Sequence, residues 1–447
     1  MNSNISSKKP LIHHISRRSK IDSMLIILFL STFRLPVLFG DPINNILNLL
    51  FVSFFALVIL LRLPRLIVIR RINKDYFLLV IVFLIWGQIG YLRTLINGHM
   101  EASLVLIAII WQWLIVLLGL VFISSVQNKY ELKSLLRALI IGASVYLLLN
   151  LILSIFGVQA HDYQPVFDYN PTGLILGSLG FDWLALDPPL ASASKGIAGM
   201  CIFVAITTSA YFGKFTLEND KYLPNKLFAL ISIFFIIIID SRMALMALFA
   251  TYIMANFFNK RMILVSAKSL IILLPMLPLA FIFLAGFLQD LNILSFVSRN
   301  AWDNIATLSN RTYIWEDAAN VALNINHNTL IGYGINGHIE SGINESTDYI
   351  FDKRIDNKNH SLHNAVIQMF IDRGIIGLLL FQALLYFLID RLSKAGNIGL
   401  RLGISIFALM LFGQTESILN SGPIDILSLF LFLIIISSSS FLDKRSL

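Results

Sequence analysis

Two histidines lie close together in the segment Asn359-His360-Ser361-Leu362-His363-Asn364, where a long polar stretch meets a long apolar one. An imidazole held at such a junction can act as a general base near neutral pH. The alternative is a structural histidine that bonds to a loop carbonyl. The residues by themselves leave both interpretations open for His360 and His363.

Two arginines in polar turns are candidate anion ligands, because a guanidinium binds phosphate oxygens through two parallel hydrogen bonds. Arg242 follows a tight turn between two apolar stretches, and Arg311 belongs to the segment Arg311-Thr312-Tyr313-Ile314-Trp315. The structural alternatives are an arginine that snorkels to lipid head groups at position 242 and a salt bridge from Arg311 to Glu316 or Asp317. Arg34 is a third candidate, for which snorkelling is also open.

Polar residues after His363 recur with helical spacing. Asn364, Gln368 and Asp372 lie at i, i+4 and i+8, so they share one face of a predicted amphipathic helix that lies on the bilayer. Gly374 and Gly377 follow, and small residues of this kind allow close approach to a neighbouring helix.

The sequence lacks the motifs of several enzyme classes. No H-E-x-x-H, G-x-S-x-G or Walker motif occurs, and Cys201 is the only cysteine. Four histidines without tight spacing do not predict a metal site: His327, His338, His360 and His363. We therefore expect no metal and no cofactor.

The composition indicates a membrane protein that is helical throughout. Hydrophobic residues make up 57% of the chain and charged residues 13%, against about 25% charged residues in soluble domains. A membrane-spanning helix needs roughly 20 mostly apolar residues. We predict twelve such helices at residues 22–39, 44–61, 76–92, 103–126, 134–157, 196–213, 225–240, 243–259, 263–288, 373–390, 398–415 and 424–441.

The loops between these stretches alternate in positive charge. Of the 34 Lys and Arg residues, 24 fall on one side, in residues 8–20, 62–74, 129–137, 214–226, 260–268, 391–401 and 444–445. The positive-inside rule makes that side cytoplasmic. Because the charge of +8 sits in short loops between apolar stretches, we expect membrane lipids and not nucleic acid as partners.

This topology divides the chain. Residues 1–21 and 442–447 are the cytoplasmic ends, 22–288 hold helices one to nine with a periplasmic loop at 158–195, and 373–441 hold helices ten to twelve. The large periplasmic loop, 289–372, contains tryptophans and helix-like stretches, so we expect an ordered subdomain. Loops of such length are usually functional or disordered.

The chain resembles the O-antigen ligase and polymerase superfamily over most of its length. The shared features are about twelve spans, a large periplasmic loop before the tenth, Ser241-Arg242 at the start of the eighth helix, Arg311-Thr312-x-x-Trp315 and the turn Gly332-Tyr333-Gly334. Ligases carry the pattern H-[NSQ]-x9-G-x-x-G-[GTY]. His363-Asn364, nine residues and Gly374-Ile375-Ile376-Gly377 fit it, and Leu378 departs at the last position.

The resemblance implies a GT-C-like, metal-independent, inverting glycosyltransferase of the bacterial inner membrane with its site facing the periplasm. It implies an undecaprenyl-diphosphate-linked glycan as donor and a glycan or lipid A-core as acceptor. His363 would take the proton from the acceptor hydroxyl, and Arg242 and Arg311 would hold the diphosphate. Asn364 and Arg34 are further expected substrate-binding residues, and a chain-length regulator could be a partner.

Two alternatives accompany the prediction of a polymerase. Arg311-Thr312-x-x-Trp315 and the departure at Leu378 favour a polymerase of O-antigen or another surface polysaccharide, whereas an O-antigen ligase would use lipid A-core as acceptor. A transporter or flippase of lipid-linked glycans fits the helix count. It does not explain a histidine and arginines around a long periplasmic loop, and transporters usually carry their charges at mid-membrane.

Overall fold

The computed structural model describes residues 15–40, 42–63, 71–98, 102–158, 189–190, 194–208, 226–239, 241–280, 311–343, 362–418 and 424–443. Within these ranges the chain is helical without any β-strand; an isolated bridge joins Ile72 and Ser439. The predicted all-α class is confirmed. Numbered in chain order, the described α-helices are α1 Arg17–Thr32, α2 Ile43–Arg62, α3 Lys74–Ile96, α4 Ala102–Ser125, α5 Lys129–Ile155, α6 Ser194–Thr208, α7 Lys226–Ile238, α8 Arg242–Phe257, α9 Lys260–Leu273, α10 Arg311–Leu323, α11 His327–Ile331, α12 Gly337–Glu340, α13 Ala365–Ser393, α14 Asn397–Phe412 and α15 Ile424–Ser437.

Many of these helices are long and apolar enough to cross a membrane. By length and composition six described segments qualify: α1 with the turn to Leu38, α2, α3, α4, α5 and α13. Five shorter helices are also apolar: α6, α7, α8, α14 and α15. The protein is therefore a multi-pass helical membrane protein, and each predicted span overlaps one described helix. The count of twelve crossings stays a prediction.

Asparagines start several of the helices, because their short side chains accept hydrogen bonds from the first free main-chain N–H groups. Asn73 begins α3, Asn128 begins α5, Asn259 begins α9 and Asn364 begins α13 in this way. These polar residues interrupt apolar runs, so they fix where each helix enters the bundle.

The helices pack side by side around a large apolar core. Helix α13 contacts α3, α9 and α14, while α1 packs against α5 and α15 against α4. In the core the ring of Phe29 meets the edges of Phe55 and Phe432, with ring centroids 5.0 and 5.3 Å apart. By contrast, α2 exposes leucines such as Leu57 and Leu61, as a helix facing lipid does.

The orientation of the bundle stays a prediction, and reporter fusions test it. We expect a fusion at Asn344 to report a periplasmic location and fusions near Lys221 and Lys394 a cytoplasmic one, because Lys and Arg are enriched on that side. An alkaline phosphatase fusion, active only outside the cytoplasm, is the measurement. A fusion at Asn344 that behaves as cytoplasmic would overturn the topology and, with it, the position of the candidate site.

Helix α13 differs from its predicted span. It begins at Ala365, eight residues before the predicted start at residue 373, and its backbone departs from helical geometry at Gly374, with φ 68° and ψ −175°. The predicted boundary between the large loop and the tenth span thus falls inside a single element, next to its kink. The described part of the large loop, residues 311–343 and 362–372, also contributes helices α10, α11 and α12, and the ordered subdomain stays a prediction.

Candidate active site

The junction before α13 is fixed by hydrogen bonds to the loop that follows α14. The Asn364 side chain accepts from the main-chain N–H groups of Val366 (2.9 Å) and Ile367 (3.0 Å), and its amide donates to the carbonyl of Gln414 at 2.8 Å. Asn364 is fully buried. These contacts give its side chain a positioning role, and the binding of substrate by Asn364 stays a prediction.

His363 lies at this junction in an unusual backbone conformation. Its φ is 49°, in the left-handed region that non-glycine residues adopt mainly where the surroundings hold them, often at functional sites. Its side chain is 29% exposed, and its Nδ1 lies 3.6 Å from Oε2 of Glu416. The imidazole therefore has a carboxylate on one side and is reachable from outside the protein.

Arg311 contacts the same carboxylate. Its Nη2 donates to Oε1 of Glu416 at 2.9 Å, and its Nη1 donates to the carbonyl of Thr415 at 2.6 Å. The ion pair thus joins Arg311 to Glu416 and not to Glu316 or Asp317 of its own helix, which were the partners expected for a structural arginine. Arg311, Glu416 and His363 form one cluster, which we call the Arg-Glu-His cluster.

Helix α10 is held against the histidine junction by a tryptophan. The indole Nε1 of Trp315 donates to the carbonyl of Leu362 at 2.9 Å, and the buried ring packs with Ile343 and Ile371. Arg311 and Trp315 are four residues apart and so share one face of the helix. This explains their spacing, because the hydrogen bond of Trp315 holds this face of α10 against the junction, and Arg311 on the same face then lies close to His363.

The turn Gly332-Tyr333-Gly334 docks on the middle of α13. The main-chain N–H of Tyr333 donates to the main-chain carbonyl of Ile371 (2.8 Å), and that of Gly334 donates to the main-chain carbonyl of Asp372 (3.0 Å). Arg93 of α3 donates to the carbonyl of Gly332 and, at 2.7 Å, to Oδ1 of Asn328. Arg93 has no motif around it in the sequence, yet it ties α3 to this turn.

The polar face of α13 is buried inside the protein, so the expectation of an amphipathic helix that lies on the bilayer is wrong. Asn364, Gln368 and Asp372 share one face as predicted, and each is fully buried. The Gln368 amide lies 3.1 Å from Nδ1 of His338 and donates to Asp372 at 2.8 Å. Asp372 also accepts from the N–H of Gly337 at 2.9 Å. The large loop supplies these partners.

The nine-residue spacing between His363-Asn364 and Gly374 has a structural explanation. Asn364 caps the helix and Gly374 kinks it, so the nine residues between them form one straight segment. A Cβ at Gly374 would collide with the carbonyl of Leu330, and a Cβ at Gly377 would lie 3.2 Å from Trp86. The predicted close approach at both glycines is therefore observed.

We predict that Gly374→Ala destabilises the protein by at least about 1–3 kcal/mol, the cost of a backbone region almost restricted to glycine, with the collision in addition. The measurement is the thermal unfolding midpoint in detergent. Gly403→Ala is the matched control, because its nearest new neighbour would be Ile389 at 3.8 Å and alanine favours a helix. Equal midpoints for both variants would contradict this account of the kink.

The other predicted binding residues lie outside the Arg-Glu-His cluster. Arg242 is the first residue of α8, after Ser241, and α8 packs against α14, the helix that leads into the Glu416 loop. Arg34 donates through Nε to the carbonyl of Leu190 at 3.3 Å. His360 lies outside the described residues. The binding roles of Arg242 and Arg34 stay predictions.

Sequence reasoning missed Glu416. The signal available was a single carboxylate just after the apolar stretch 398–415 on the predicted outer side. Nothing in the spacing connects position 416 to positions 311 and 363. Among the described residues, no group of three or more His, Cys, Asp or Glu side chains could hold a metal ion.

A bundle of apolar helices with an arginine–carboxylate–histidine cluster at a loop junction defines a membrane protein with an enzyme-like site. Residues 227–382 match the sequence model of the family described as O-antigen ligase. Over this stretch the chain is similar to the O-antigen ligase and polymerase superfamily, a family of glycosyl-transferring enzymes that act on lipid-linked glycans. No curated protein matches the chain.

Proposed function

We propose that this protein is a polymerase of O-antigen or another surface polysaccharide. It joins glycans that are carried on undecaprenyl diphosphate, at the periplasmic face of the bacterial inner membrane. The observation that carries the proposal is the Arg-Glu-His cluster in a chain that is similar to a glycosyl-transferring family, with Nδ1 of His363 3.6 Å and the Arg311 guanidinium 2.9 Å from the same carboxylate.

In the proposed reaction His363 is the general base. Glu416 lies 3.6 Å from Nδ1, and its negative charge favours the tautomer with the proton on Nδ1, which leaves the lone pair of Nε2 for the acceptor hydroxyl. As Nε2 takes this proton, the hydroxyl oxygen forms a bond to the anomeric carbon. The bond from that carbon to the diphosphate oxygen breaks on the opposite face, and the diphosphate leaves with the electron pair. The anomeric centre is inverted.

Arg311 stabilises the departing diphosphate. A guanidinium has five N–H donors, and in the structure each of the two terminal nitrogens of Arg311 uses one of them, on Thr415 and on Glu416. The remaining N–H groups can reach phosphate oxygens, since the side chain is 23% exposed. Fixed donors aimed at charge that develops in the transition state are the main source of such catalysis. Arg242 is proposed to bind the same diphosphate, and a metal is not required.

Glu416 positions the two catalytic groups, and its substitution gives a specific prediction. We expect Glu416→Gln to lower kcat by about 10- to 100-fold, because a hydrogen bond to a charged group contributes about 1.5–3 kcal/mol. KM should change little, since glutamine still accepts a hydrogen bond from Arg311. The measurement is steady-state transfer with purified lipid-linked repeats.

Glu316→Gln is the matched control for this prediction. Glu316 is an exposed acid on α10, five residues from Arg311, and its substitution should leave kcat unchanged. A Glu416→Gln enzyme with normal kcat would remove Glu416 from the proposed mechanism.

An O-antigen ligase is the second candidate, and two observations favour it. The matching family model is described as O-antigen ligase, and His363-Asn364 with Gly374 and Gly377 fits the ligase spacing. A ligase would share the donor half of the site and use lipid A-core as acceptor. The family match favours either enzyme over a transporter.

Deletion of the gene tests the function and separates the two enzymes. Loss of a polymerase leaves a single repeat on the lipid A-core, whereas loss of a ligase leaves none, and electrophoresis of the lipopolysaccharide distinguishes these products. We expect the single-repeat phenotype. Normal polysaccharide in the deletion strain would contradict both proposals. A chain-length regulator, the further expected partner, would alter product length and not bond formation.

A further inference from the structure

Arg373 of α13 is an arginine inside the helix bundle that lacks a hydrogen-bonding partner for its guanidinium among the described residues. The residue is 6% exposed, and its Nε is buried without a partner. The guanidinium lies over the ring of Phe83 of α3, 5.2 Å from the ring centroid. A Cβ at Gly87 would come within 3.1 Å of Nη1, so the absence of a side chain there leaves room for Arg373.

Another arginine of the same helix shows what a purely structural arginine looks like. Arg391 is 5% exposed, and its guanidinium donates to the carbonyls of Ser437 and Ser439 and pairs with Asp443. Burying a charge without such partners is costly. Asp372, next to Arg373, directs one carboxylate oxygen to the Gly337 main chain and the Gln368 amide. Its other oxygen has no hydrogen-bond partner, so Asp372 acts on Arg373 through its charge and not through a hydrogen bond, and the N–H groups of Arg373 remain available.

The guanidinium borders a cavity that has one polar end. Arg373 and Gln112 supply the polar groups, and the remaining wall includes Phe83, Met369, Phe381 and Phe430. The Gln112 amide donates to the hydroxyl of Tyr91 at 3.1 Å and accepts from Gln88 at 2.9 Å. The positive charge of Arg373 and the amide of Gln112 are complementary to an anionic head group. The apolar walls are complementary to an apolar chain attached to it.

The position of the cavity along α3 places it within the bundle. Gly87 precedes Arg93 by six residues, about 9 Å of helix, and Arg93 contacts the large loop at Gly332. Ionisable side chains at such a depth are rare and mark binding sites or pathways. From Ala365 to Arg373 the helix rises by about 12 Å, so Arg373 is remote from a diphosphate that reacts beside His363.

We propose that Arg373, with Gln112, binds the phosphate group of an anionic lipid. The guanidinium supplies two parallel N–H groups to the phosphate oxygens, the second N–H of the Gln112 amide donates one further hydrogen bond, and the apolar walls contact the lipid chain. The cavity holds about 20 Å³, the space of about one water molecule, so entry of the phosphate requires the adaptable side chain of Met369 to move out of the cavity wall. The lipid is either a membrane phospholipid or a second lipid-linked glycan such as a polymerase uses as acceptor.

Lipid retention by the purified full-length protein tests this site without reference to catalysis. Native mass spectrometry would compare phosphatidylglycerol and undecaprenyl diphosphate with their uncharged counterparts, diacylglycerol and undecaprenol. We expect the protein to retain phosphate lipids preferentially, and Arg373→Gln to weaken their retention at least tenfold. Arg373→Lys should keep part of it, because lysine retains the charge without the planar fork.

Arg391→Gln is the matched control, since it removes an equally buried arginine from the other end of α13. It should lower the unfolding midpoint and leave phosphate-lipid retention at the level of the unsubstituted protein. If Arg373→Gln does not fold, Gln112→Leu makes the same test from the other side of the cavity. Unchanged retention in the folded variant would overturn the proposal.

The two phosphate lipids identify the source of the ligand. Weaker retention of undecaprenyl diphosphate alone assigns the site to a lipid-linked substrate, an assignment that rests on the proposed function, and equal weakening of both lipids assigns it to the surrounding membrane. Because retention is measured without glycosyl transfer, a failed transfer assay would leave this result intact. If the unsubstituted protein transfers glycan and Arg373→Gln leaves lipid retention unchanged, the lipid site is rejected and the proposed function is kept.

Discussion

His363→Gln and His363→Ala are both expected to lower the rate of glycan transfer by about 10²- to 10⁴-fold, the contribution of a general base. Glutamine can replace a hydrogen bond that an imidazole makes to a carbonyl, but it cannot accept a proton at neutral pH. The two substitutions therefore separate a structural histidine from a catalytic one. Single-turnover transfer with purified protein is the measurement, with the unfolding midpoint recorded for each variant.

The left-handed backbone at His363 makes a stability control necessary. Its φ of 49° is held by the neighbouring contacts of Asn364 and Leu362, and glutamine at the same position keeps the Cβ and a similar length. His327→Gln is the matched control, because His327 is an exposed histidine at the start of α11. A His363→Gln protein that transfers glycan at the normal rate would reject the base role and leave Arg311 as the main candidate.

Arg311→Ala is expected to reduce transfer by about 10²- to 10³-fold, the cost of removing one fixed donor to developing negative charge. Arg311→Lys should recover only part of this loss. Lysine can pair with Glu416 as a point charge, but it does not offer a planar fork to Glu416 and a phosphate together. The same transfer assay measures both variants, with donor KM as a second readout.

A double substitution distinguishes two roles of Arg311. If Arg311 serves only as the counter-charge of Glu416, then Arg311→Ala combined with Glu416→Gln removes the unpaired carboxylate, and activity should rise above that of Arg311→Ala alone. If Arg311 binds the diphosphate, the double variant should be at least as inactive as the single one. Recovery in the double variant would contradict the diphosphate role.

The sequence predicts the helices well because its signals are local. Apolar runs bounded by asparagines and basic residues define most of the helices, as Asn73 before α3 and Asn128 before α5 illustrate. The sequence predicts an amphipathic helix over Asn364 to Asp372 apart from the tenth span, because Asn364, Gln368 and Asp372 make this segment polar, whereas the structure joins both in α13. The hydropathy of that segment falls even though the loop buries each of these residues.

The candidate site could be predicted only in part, because its contacts are distant in sequence. His363 and Arg311 stand out by residue type and motif. Their link through Glu416 joins positions separated by 53 and 105 residues along the chain, which no local spacing reveals. The role of Arg93 could not be predicted either, because it depends on a contact with the distant turn at Gly332. For Arg373, the sequence does not reveal that the described residues provide no hydrogen-bonding partner.

Reconstitution in proteoliposomes shows whether the protein by itself joins lipid-linked repeats. Purified protein would be supplied with undecaprenyl-diphosphate-linked repeats alone, without nucleotide sugar, and the glycans would be sized by mass spectrometry. We expect products of two or more repeats, release of undecaprenyl diphosphate, inversion at the new linkage and loss of all three with His363→Gln. Unchanged single repeats in the presence of folded protein, or equal products from the His363→Gln protein, would contradict this expectation.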